Sequence, residues 1–570
     1  MESEVSPLVL SLLRKRGITD AHDIATFLAP DYLLHTHEPT LLSAMGAAVI
    51  RILGAVDQGE RIAVYADFDC DGIPGAALLS DFFTKIGYSN FEVYLPHRDR
   101  EGYGFHIEAI ETLVARGVSL IITVDVGMNA RDAVQFAKDK GVDVIVTDHH
   151  EPTGVTPDAV AILNPKLVPP ALSGVEGYPF PDLCGAAVAH KLVQALLSEG
   201  RARNMPAFLD IPEGWEKWLL DLVAIATIAD MVPLIGENRV LAYYGLQVLR
   251  KSQRPGIDAL CALLRLRKDE LTEDDIGFSL APRINAASRM DSPMLALELL
   301  TTRDRTRAGA IARELEALNA SRKGVVGGMV REAKKHVRAR FDEHDRLVVL
   351  GEPQWKPSLL GLAANSIMDG RSGVVCMWGR DALGRIKGSC RSDGSVSVVR
   401  LFEEAHDAFE AFGGHEASGG FTLKAERVHT LHETLREALA RIDSSVAKSG
   451  AVAGVVEADA RLMLGEVSST LLRDISQLAP FGAGNSKPTF RIPHCIVTDI
   501  RAFGKEKNHI ELALECRKSG ARSRAYDFFR TMSDFTHPPS QGSEAHILAT
   551  IERDSYRGGL ALRLLDVFAA

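Results

Sequence analysis

Short β-forming runs alternate with helical segments from Arg61 onward, and this alternation constrains the fold more than any other feature of the chain. Helical segments such as AALLSDFFTKIG and NARDAVQFAKDKG separate several of the runs, which read RIAVYA, FEVYLP, SLIITVD, DVIVTD and AVAILN. Strands that alternate with helices are joined by right-handed crossovers and build a mainly parallel sheet. The sequence therefore predicts an α/β fold for this part of the chain.

The length of 570 residues allows several domains, at roughly 150 residues each. A helix should end near Gly17, and Asp20 should cap the next helix, which stops before Pro30. Changes in pattern predict an N-terminal helical segment (1–55), a first α/β domain (56–305), a solvated connecting helix (306–341), a second α/β domain (342–442), a linker (443–452) and a small OB-type β-barrel (453–570).

Composition and charge narrow the functional classes. The net charge of −10 argues against a protein that is basic all over, but residues 321–340 carry seven Lys or Arg against Glu332 alone, so we expect a local basic groove. The seven cysteines contain no C-x-x-C, which argues against a disulfide framework or a cysteine zinc site and suits a reducing cytoplasm. With no signal-peptide pattern and no run of about 20 apolar residues, we expect a cytoplasmic protein without a membrane segment.

Acidic and histidine residues close several of the apolar runs. Asp67, Asp69 and Asp71 follow RIAVYA, Asp125 follows SLIITV, the Asp148-His149-His150 run follows DVIVT, and Asp230 ends DLVAIATIAD. Because parallel sheets place their chemistry at the carboxyl ends of the strands, Asp69, Asp71, Asp125 and His149 should meet at one edge. Carboxylates with one or two imidazoles suit Mn²⁺ or Mg²⁺, and a shared carboxylate can hold two ions.

These residues also fit two other interpretations. The D-x-D-x-D-G string also begins an EF-hand loop, but that loop needs Glu at its twelfth position, where this chain has Leu78. An isolated Asp after a strand is usually a helix cap or a turn former. Four such sites in one α/β block argue against coincidence, so the sequence favours a metal centre.

These motifs resemble those of the DHH phosphoesterase superfamily and, within it, the RecJ family of single-strand-specific 5′→3′ exonucleases. The resemblance spans nearly the whole chain. It rests on ADFDCDG (66–72), HRDREGYGF (97–105), TVDVG (123–127), VTDHHEP (146–152), ATIADMVPL (226–234), GFSLAPRINAASR (277–289), GSCRS (388–392), FGGHEASGG (412–420) and PFGAGNSKPTF (480–490).

The resemblance implies a DHH catalytic domain, a DHHA1-type nucleic-acid-binding domain and a two-ion site for Mn²⁺ or Mg²⁺. Asp125 would bridge the two ions. Asp148 would orient the His149 ring by accepting from the ring N–H that does not face the metal, and His150 would be one of the catalytic residues. The metal ligands carried over by motif are Asp67, Asp69, Asp71, Asp125, His149 and Asp230.

The implied reaction is hydrolysis of single-stranded DNA from its 5′ end to mononucleotides, in DNA repair and recombination. Arg98 would hold the 5′-terminal phosphate and Tyr103 would pack against a base. Further substrate contacts would come from Arg283, Asn285, Arg289, Ser389, Arg391, Gly413, Gly414 and His415. Single-stranded DNA, a helicase and a single-strand-binding protein are the expected partners, and the protein is expected to be a monomer.

The sequence departs from the family pattern at a few positions. Ile73-Pro74-Gly75 replaces small hydroxyl residues, Val126 replaces Asn, and Lys356, Ser358 and Ser366 stand where a W-H-P-G-type segment has other residues. Two alternatives stay open: a DHH-type phosphodiesterase acting on short oligonucleotides or cyclic dinucleotides, and a non-catalytic DNA-binding scaffold. The barrel region also contains a group of basic residues, which could form a second surface for binding the strand or equally a solvated edge. They are Lys505, Lys507, Arg517, Lys518, Arg522, Arg524 and Arg530.

Overall fold

The computed structural model describes residues 5–167, 177–342, 344–446, 458–504, 507–554 and 557–570. The chain divides into two compact units. The larger unit comprises Glu38–Asp230 and Gly245–Ala451, and the smaller unit comprises Met1–His37, Met231–Tyr244 and Val452–Ala570. Among the described helices, none combines the length and apolar character that a membrane crossing requires.

The helices are α1 (Pro7–Lys15), α2 (Ala21–Leu28), α3 (Met45–Gln58), α4 (Gly72–Lys85), α5 (Ile107–Ala115), α6 (Arg131–Asp139), α7 (Gly185–Ala202), α8 (Pro206–Leu209), α9 (Leu220–Ala229), α10 (Gly236–Lys251), α11 (Pro255–Leu264), α12 (Ala281–Met290), α13 (Met294–Thr301), α14 (Arg305–Arg340), α15 (Pro357–Met368), α16 (Val398–Glu404), α17 (Leu431–Val446) and α18 (Ser469–Ser476).

The strands are β1 (Ile62–Ala66), β2 (Phe91–Tyr94), β3 (Leu120–Val124), β4 (Asp143–Thr147), β5 (Ala161–Leu163), β6 (Leu347–Gly351), β7 (Val374–Arg380), β8 (Ile386–Ser392), β9 (Phe409–Gly414), β10 (Ser418–Leu423), β11 (Ala460–Arg461), β12 (Phe490–Phe503), β13 (His509–Cys516), β14 (Arg522–Asp527), β15 (Glu544–Arg553) and β16 (Leu560–Ala569).

The first sheet confirms the predicted parallel α/β fold. Its strands lie in the order β2-β1-β3-β4-β5, and every pairing between them is parallel. Strands β1 and β3 are buried along their whole length, as expected for central strands with helices on both faces. The carboxyl ends of β1, β3 and β4 therefore open onto one edge of the sheet.

The second sheet is mixed and has the order β6-β7-β8-β10-β9. Only the β6–β7 pairing is parallel. Helix α15 packs against β7 and β8, and its N-terminal residues lie near α12. This arrangement confirms the expected second α/β domain. Helix α17 continues to Val446, so 443–446 of the predicted linker are helical, and the rest of the linker lies outside the described residues.

Helix α14 is the predicted long helix, but it is not solvated on all sides. It spans 36 residues, and Asp304 caps its start by accepting from the backbone N–H groups of Thr306 and Arg307. It packs against α11, α12, α13 and α15, and its buried residues include Ile311, Leu315 and Ala333. The prediction of a solvated connector is therefore wrong, because one side of the helix is buried against these neighbouring helices.

One cysteine pair corrects the cysteine prediction. Cys376 on β7 and Cys390 on β8 form a disulfide. They are direct cross-strand neighbours in the antiparallel β7–β8 register, a proximity that wide sequence spacing does not reveal. The five other cysteines are free and buried in the described structure, so no wider disulfide framework exists there.

The smaller unit contains the predicted OB-like barrel. Strands β12, β13, β14, β16 and β15 pair in that order, and a β12–β15 pairing closes the ring. Helices α1 and α2 share the barrel core, because Leu12, Leu13 and Ile24 join the same buried cluster as Phe490 and Leu564. Asp20 caps α2 as expected. The exact boundaries of the five predicted segments and the linker stay a prediction.

Candidate metal centre and phosphate pocket

The acidic and histidine residues lie where the sequence placed them along the first sheet. Asp67 directly follows β1, Asp125 follows β3, and the Asp148-His149-His150 run follows β4. Asp71 is the N-cap residue of α4. Asp230 differs from the others, because it caps the C-terminus of helix α9 and does not end a strand. All four segments nevertheless meet at one edge of the sheet.

The His149 ring lies at the centre of this group. Its Nε2 atom is 3.1 Å from Asp125 Oδ1, 3.6 Å from Asp71 Oδ2 and 3.7 Å from Asp230 Oδ2. Burial and the neighbouring charge of His150 lower the pKa of His149 to about 3. A neutral imidazole surrounded by carboxylate oxygens is the form that binds a metal ion.

The carboxylates repel one another in the absence of a cation. Burial and the charge of Asp69 raise the pKa of Asp71 to about 6. Burial and the charges of Asp71 and Asp69 raise the pKa of Asp230 to about 9. Burial and neighbouring carboxylates also raise the pKa values of Asp67 and Asp125 well above the ordinary range. Bound positive charge would stabilise the ionised form of these clustered side chains.

The donor set fits hard divalent cations. Ligand atoms fall within 4.8 Å of one another in three overlapping sets: Asp71 with His149 and Asp230, Asp125 with both histidines, and Asp67 with Asp69 and Asp125. Asp67 Oδ1 and Asp125 Oδ1 are buried without a hydrogen-bond partner among the described residues. Asp125 and His149 each belong to two sets, and the bridging role that the family resemblance implies for Asp125 stays a prediction. Oxygen-rich ligation with one or two imidazoles suits Mn²⁺ or Mg²⁺.

Helix α7 supports the centre, although no motif in the sequence indicates that it does. The backbone N–H groups of Gly185 and Ala186 donate to the two carboxylate oxygens of Asp71, at 2.6 and 2.7 Å. A Cβ atom at Gly185 would lie 2.6 Å from the Asp125 Cβ atom. The only available signal was a glycine at the start of an apolar helix, because this contact joins residues more than a hundred positions apart in the sequence.

Asp148 supports a different histidine from the one predicted. Its Oδ1 atom lies 2.7 Å from the His150 Nδ1 atom and also accepts from the backbone N–H groups of His149 and His150, whereas the Nε2 atom of the His149 ring lies beside Asp125. Although burial opposes it, the bond from Asp148 raises the pKa of His150 to about 9. The expectation that Asp148 orients the His149 ring is therefore wrong. The backbone N–H of Met128 donates to the second oxygen of Asp148 and completes its support.

Two aromatic side chains flank His150. The hydroxyl of Tyr103 is 3.3 Å from Nδ1 and 3.4 Å from Nε2 of His150. The His415 ring stacks on the His150 ring, with centroids 6.0 Å apart. Gly414 keeps this loop close to β10, because a Cβ atom there would lie 2.3 Å from the Ser418 carbonyl oxygen. Gly413 is exposed and has no such constraint.

Three arginines gather beside residues 67–71, which follow β1 and which we call the metal-ligand loop. The guanidinium of Arg98 lies 4.7 Å from the centre of the Phe68 ring. Phe68 stands between Asp67 and Asp69 in the sequence. Arg391 donates to Ser389 Oγ at 2.9 Å. Burial and then the charges of Arg98, Arg322 and Arg391 lower the pKa of Arg289 to about 9. Guanidiniums clustered in this way have the donor chemistry that a phosphate group requires, so we treat this cluster as a candidate phosphate pocket.

Glycine in α15 makes room for this phosphate pocket, which we define by Arg98, Arg289, Ser389 and Arg391. A Cβ atom at Gly361 would lie 2.5 Å from Arg391 Nη2 and 3.1 Å from Ser389 Oγ. The guanidinium of Arg289 donates to the Ser358 carbonyl oxygen at 2.8 Å, and the hydroxyl of Ser358 donates back to the Arg289 carbonyl oxygen. Helix α15 therefore positions two of the pocket's arginines.

Two residues predicted to line the strand path have structural partners. The Arg283 side chain is buried and forms an ion pair with Glu316 at 2.7 Å, and it also donates to the carbonyl oxygen of Ser279. The side-chain oxygen of Asn285 accepts from the Cys70 backbone N–H at 3.0 Å. Asn285 therefore supports the metal-ligand loop. Direct contact of either residue with DNA stays a prediction.

The departures in the first two motifs are accommodated in the core. Ile73 and Pro74 lie buried in the first turn of α4, and Val126 is buried after β3. A Cβ atom at Gly75 would lie 2.5 Å from Val124 Cγ1, so glycine lets α4 pack closely on β3. In the barrel, Arg524 and Arg530 pair with Asp554 and Asp527, and Lys505 lies outside the described residues.

The fold and the site together define a phosphoesterase of the DHH class. The DHH family N-terminal domain matches residues 61–227, the DHHA1 domain matches residues 344–444, and the RecJ OB domain matches residues 458–565. A single-stranded-DNA-specific exonuclease RecJ from Haemophilus influenzae is 32% identical over 98% of this chain and 95% of its own length. The chain belongs to the RecJ family.

Two further relatives agree with this assignment. The single-stranded-DNA-specific exonuclease RecJ of Bacillus subtilis is 34% identical over 90% of this chain, which spans 62% of the length of that relative. The crystal structure of RecJ from Thermus thermophilus in complex with Mn²⁺ superposes with a TM-score of 0.78 at 26% identity, and the match covers 100% of this chain and 76% of that one.

Proposed function

We propose that this protein is a metal-dependent exonuclease that hydrolyses single-stranded DNA from the 5′ end and releases mononucleotides. One observation carries the proposal: the phosphate pocket adjoins the carboxylate cluster, with Arg98 packed over Phe68 inside the metal-ligand loop. A terminal phosphate bound by Arg98 and Arg391 would leave the next phosphodiester facing the carboxylates. This arrangement favours attack one nucleotide from a phosphorylated end.

The protein's own residues would bind and orient the substrate. Arg98, Arg391 and Ser389 would hold the terminal phosphate through parallel hydrogen bonds. Tyr103 is 53% exposed, so its ring is available to stack on the first base. His150, held by Asp148 on one side, would donate from its other ring nitrogen to a phosphate oxygen.

The carboxylates and His149 would hold the metal ions. Asp69, Asp71, Asp125, His149 and Asp230 form the donor set, and Asp67 adds a further oxygen. When bound, Mn²⁺ or Mg²⁺ neutralises these carboxylates, polarises the phosphate and activates water near neutral pH. The backbone N–H groups of α7 keep Asp71 oriented throughout.

Two other functions account for fewer of the observations. A phosphodiesterase for short oligonucleotides or cyclic dinucleotides would use the same centre, but it would give no role to the OB-like barrel, a fold that binds single strands in many proteins. A non-catalytic scaffold would tolerate loss of ligands, yet every ligand position is intact. The strand-degrading function therefore has the better support.

Partners, assembly and location form part of the same proposal. Helicases open duplexes and single-strand-binding proteins coat the product, so both would supply the substrate that this enzyme consumes. We expect a monomer that acts in the cytoplasm. Size-exclusion chromatography with light scattering tests the assembly state, and a mass of about twice that of the 61.9 kDa chain would contradict it.

A labelled-strand assay tests the activity. Full-length protein with Mn²⁺ is given single-stranded DNA labelled at the 5′ or the 3′ end. We expect early release of the 5′ label as a mononucleotide, which EDTA and Asp125→Ala abolish, while Asp57→Ala, an exposed surface change, leaves it intact. Early release of the 3′ label, or hydrolysis of dinucleotides alone, would contradict the proposal.

A further inference from the structure

A second group of basic residues lies on α14, beyond the phosphate pocket. Arg322 and Lys323 follow Asn319 by three and four positions, so the three residues share one face of the helix. The ion pair between Glu316 and Arg283, one turn earlier, fixes this face against α12. Arg289, two turns further along α12, is close enough to Arg322 to be repelled by its charge.

Arg322 has no counter-ion among the described residues. In the part of the chain that the structure describes, no carboxylate forms an ion pair with it, and its Nε–H is buried without an acceptor. Burial and the charge of Arg283 lower its pKa. Burial and the charges of Arg283 and Arg322 also lower the pKa of Lys323, although Glu316 opposes them.

Crowded guanidiniums without acids are unfavourable unless an anion joins them. A buried donor that lacks an acceptor costs free energy, and like charges in partly buried positions repel. The fully buried Asn319 adds two more polar atoms without partners among the described residues. The neighbouring Arg283 is already neutralised by Glu316, so the excess charge belongs to Arg322 and Lys323.

We propose that Arg322 and Lys323 form a second phosphate-binding position, which receives a backbone phosphate of the DNA strand downstream of its terminal nucleotide. The proposal rests on the proposed exonuclease function, because the ligand is the same strand. It would give the strand a path from the phosphate pocket, past Arg289, onto the exposed face of α14. Both side chains would then bind the substrate without touching the reacting bond.

A metal-free binding experiment tests this position separately from catalysis. Full-length protein in EDTA is titrated with a fluorescent, 5′-phosphorylated 12-nucleotide single strand at several salt concentrations. Arg322→Gln with Lys323→Gln should weaken binding at least about tenfold, since a single charge-assisted hydrogen bond to a phosphate already contributes that order of affinity. The slope of log K against log salt should fall by about 0.7 for each phosphate that the double variant no longer neutralises. A 5′-phosphorylated dinucleotide should show a smaller decrease in affinity, because it is too short to reach α14.

The matched control is Lys334→Gln with Lys335→Gln, which removes the same charge from exposed positions of the same helix. An equal decrease in affinity in both double variants, or no decrease in the first, would overturn the proposal. Arg322→Lys keeps the charge without the planar fork and should recover part of the affinity. If the unmodified protein binds the 12-nucleotide strand in EDTA but does not degrade it when Mn²⁺ is added, the exonuclease proposal fails. The comparison of binding between the two double variants would still test the proposed second phosphate-binding position.

Discussion

The ammonium group of Lys356 lies 3.0 Å from the Asp99 carboxylate, and this ion pair joins the start of α15 to the loop that carries Arg98. Both side chains are partly buried, at 32% and 21% exposure. Lys356 is one of the positions where the sequence departs from the family pattern. The pair shows what this departure does, because it ties the second α/β domain to the residue next to Arg98.

Loss of this ion pair should loosen the phosphate pocket without altering the metal centre. Lys356→Met should raise KM for a 5′-phosphorylated single strand severalfold and change kcat little. A double-mutant cycle with Asp99→Asn should give a coupling energy of about 0.5–1 kcal/mol, which is usual for a partly exposed pair. Additive effects of the two substitutions on KM would show that the ion pair has no such role.

Gly361→Ala should disturb the phosphate pocket directly. The new methyl group would lie 2.5 Å from Arg391 Nη2, so the guanidinium must move. We expect a smaller preference for 5′-phosphorylated over 5′-hydroxyl strands in a competition assay. Gly54→Ala, in α3, meets nothing within 4 Å and should instead raise stability by about 0.5–1 kcal/mol, as alanine does within helices. If both variants kept the wild-type preference, the pocket would not depend on Gly361.

Asp125→Asn should have opposite effects with and without metal. In EDTA the substitution removes one of several repelling buried carboxylates, so the melting temperature should rise. In Mn²⁺ the wild type should gain about 2.7 kcal/mol when the ion is at 100 times its dissociation constant, because the ion binds only the folded state. The variant should lose most of this gain. A scanning-fluorimetry series with both proteins in EDTA and Mn²⁺ checks the crossover, and an equal Mn²⁺ gain in both would refute it.

His190 should make the protein sensitive to mild acid. Burial, partly opposed by its bond to the Glu216 carbonyl, lowers the pKa of His190 to about 4, below its usual value of about 6.5 in the unfolded chain. The unfolded state therefore binds more protons between these values, and the stability present above pH 6.5 is lost as the pH falls towards 4.

Urea unfolding of wild type and His190→Gln measures this effect. The difference in unfolding free energy between the two proteins should shift in favour of the variant by on the order of 3 kcal/mol from pH 7 to pH 4, at 1.36 kcal/mol per pKa unit. Both proteins are kept in EDTA, so that titration of the metal ligands is common to them. A pH-independent difference would mean that His190 is not neutral in the folded protein.

Much of this organisation was readable from the sequence. Alternating strands and helices predicted the parallel sheet, because crossover chirality leaves few other solutions. Residues that follow strands β1, β3 and β4 share one edge in such a sheet, so the meeting of Asp71, Asp125 and His149 was predictable from local pattern. The disulfide, the buried face of α14 and the shared core of α1, α2 and the barrel were not readable.

The sequence by itself determined which side chains reach the candidate site, because strand ends and helix starts are set by local propensity and periodicity. Only the tertiary structure decided their partners. It paired Asp148 with the His150 ring, brought the N-terminus of α7 to Asp71, and joined Lys356 to Asp99. Such pairings depend on how elements distant in sequence pack, and packing specificity comes from the shapes of many side chains acting together.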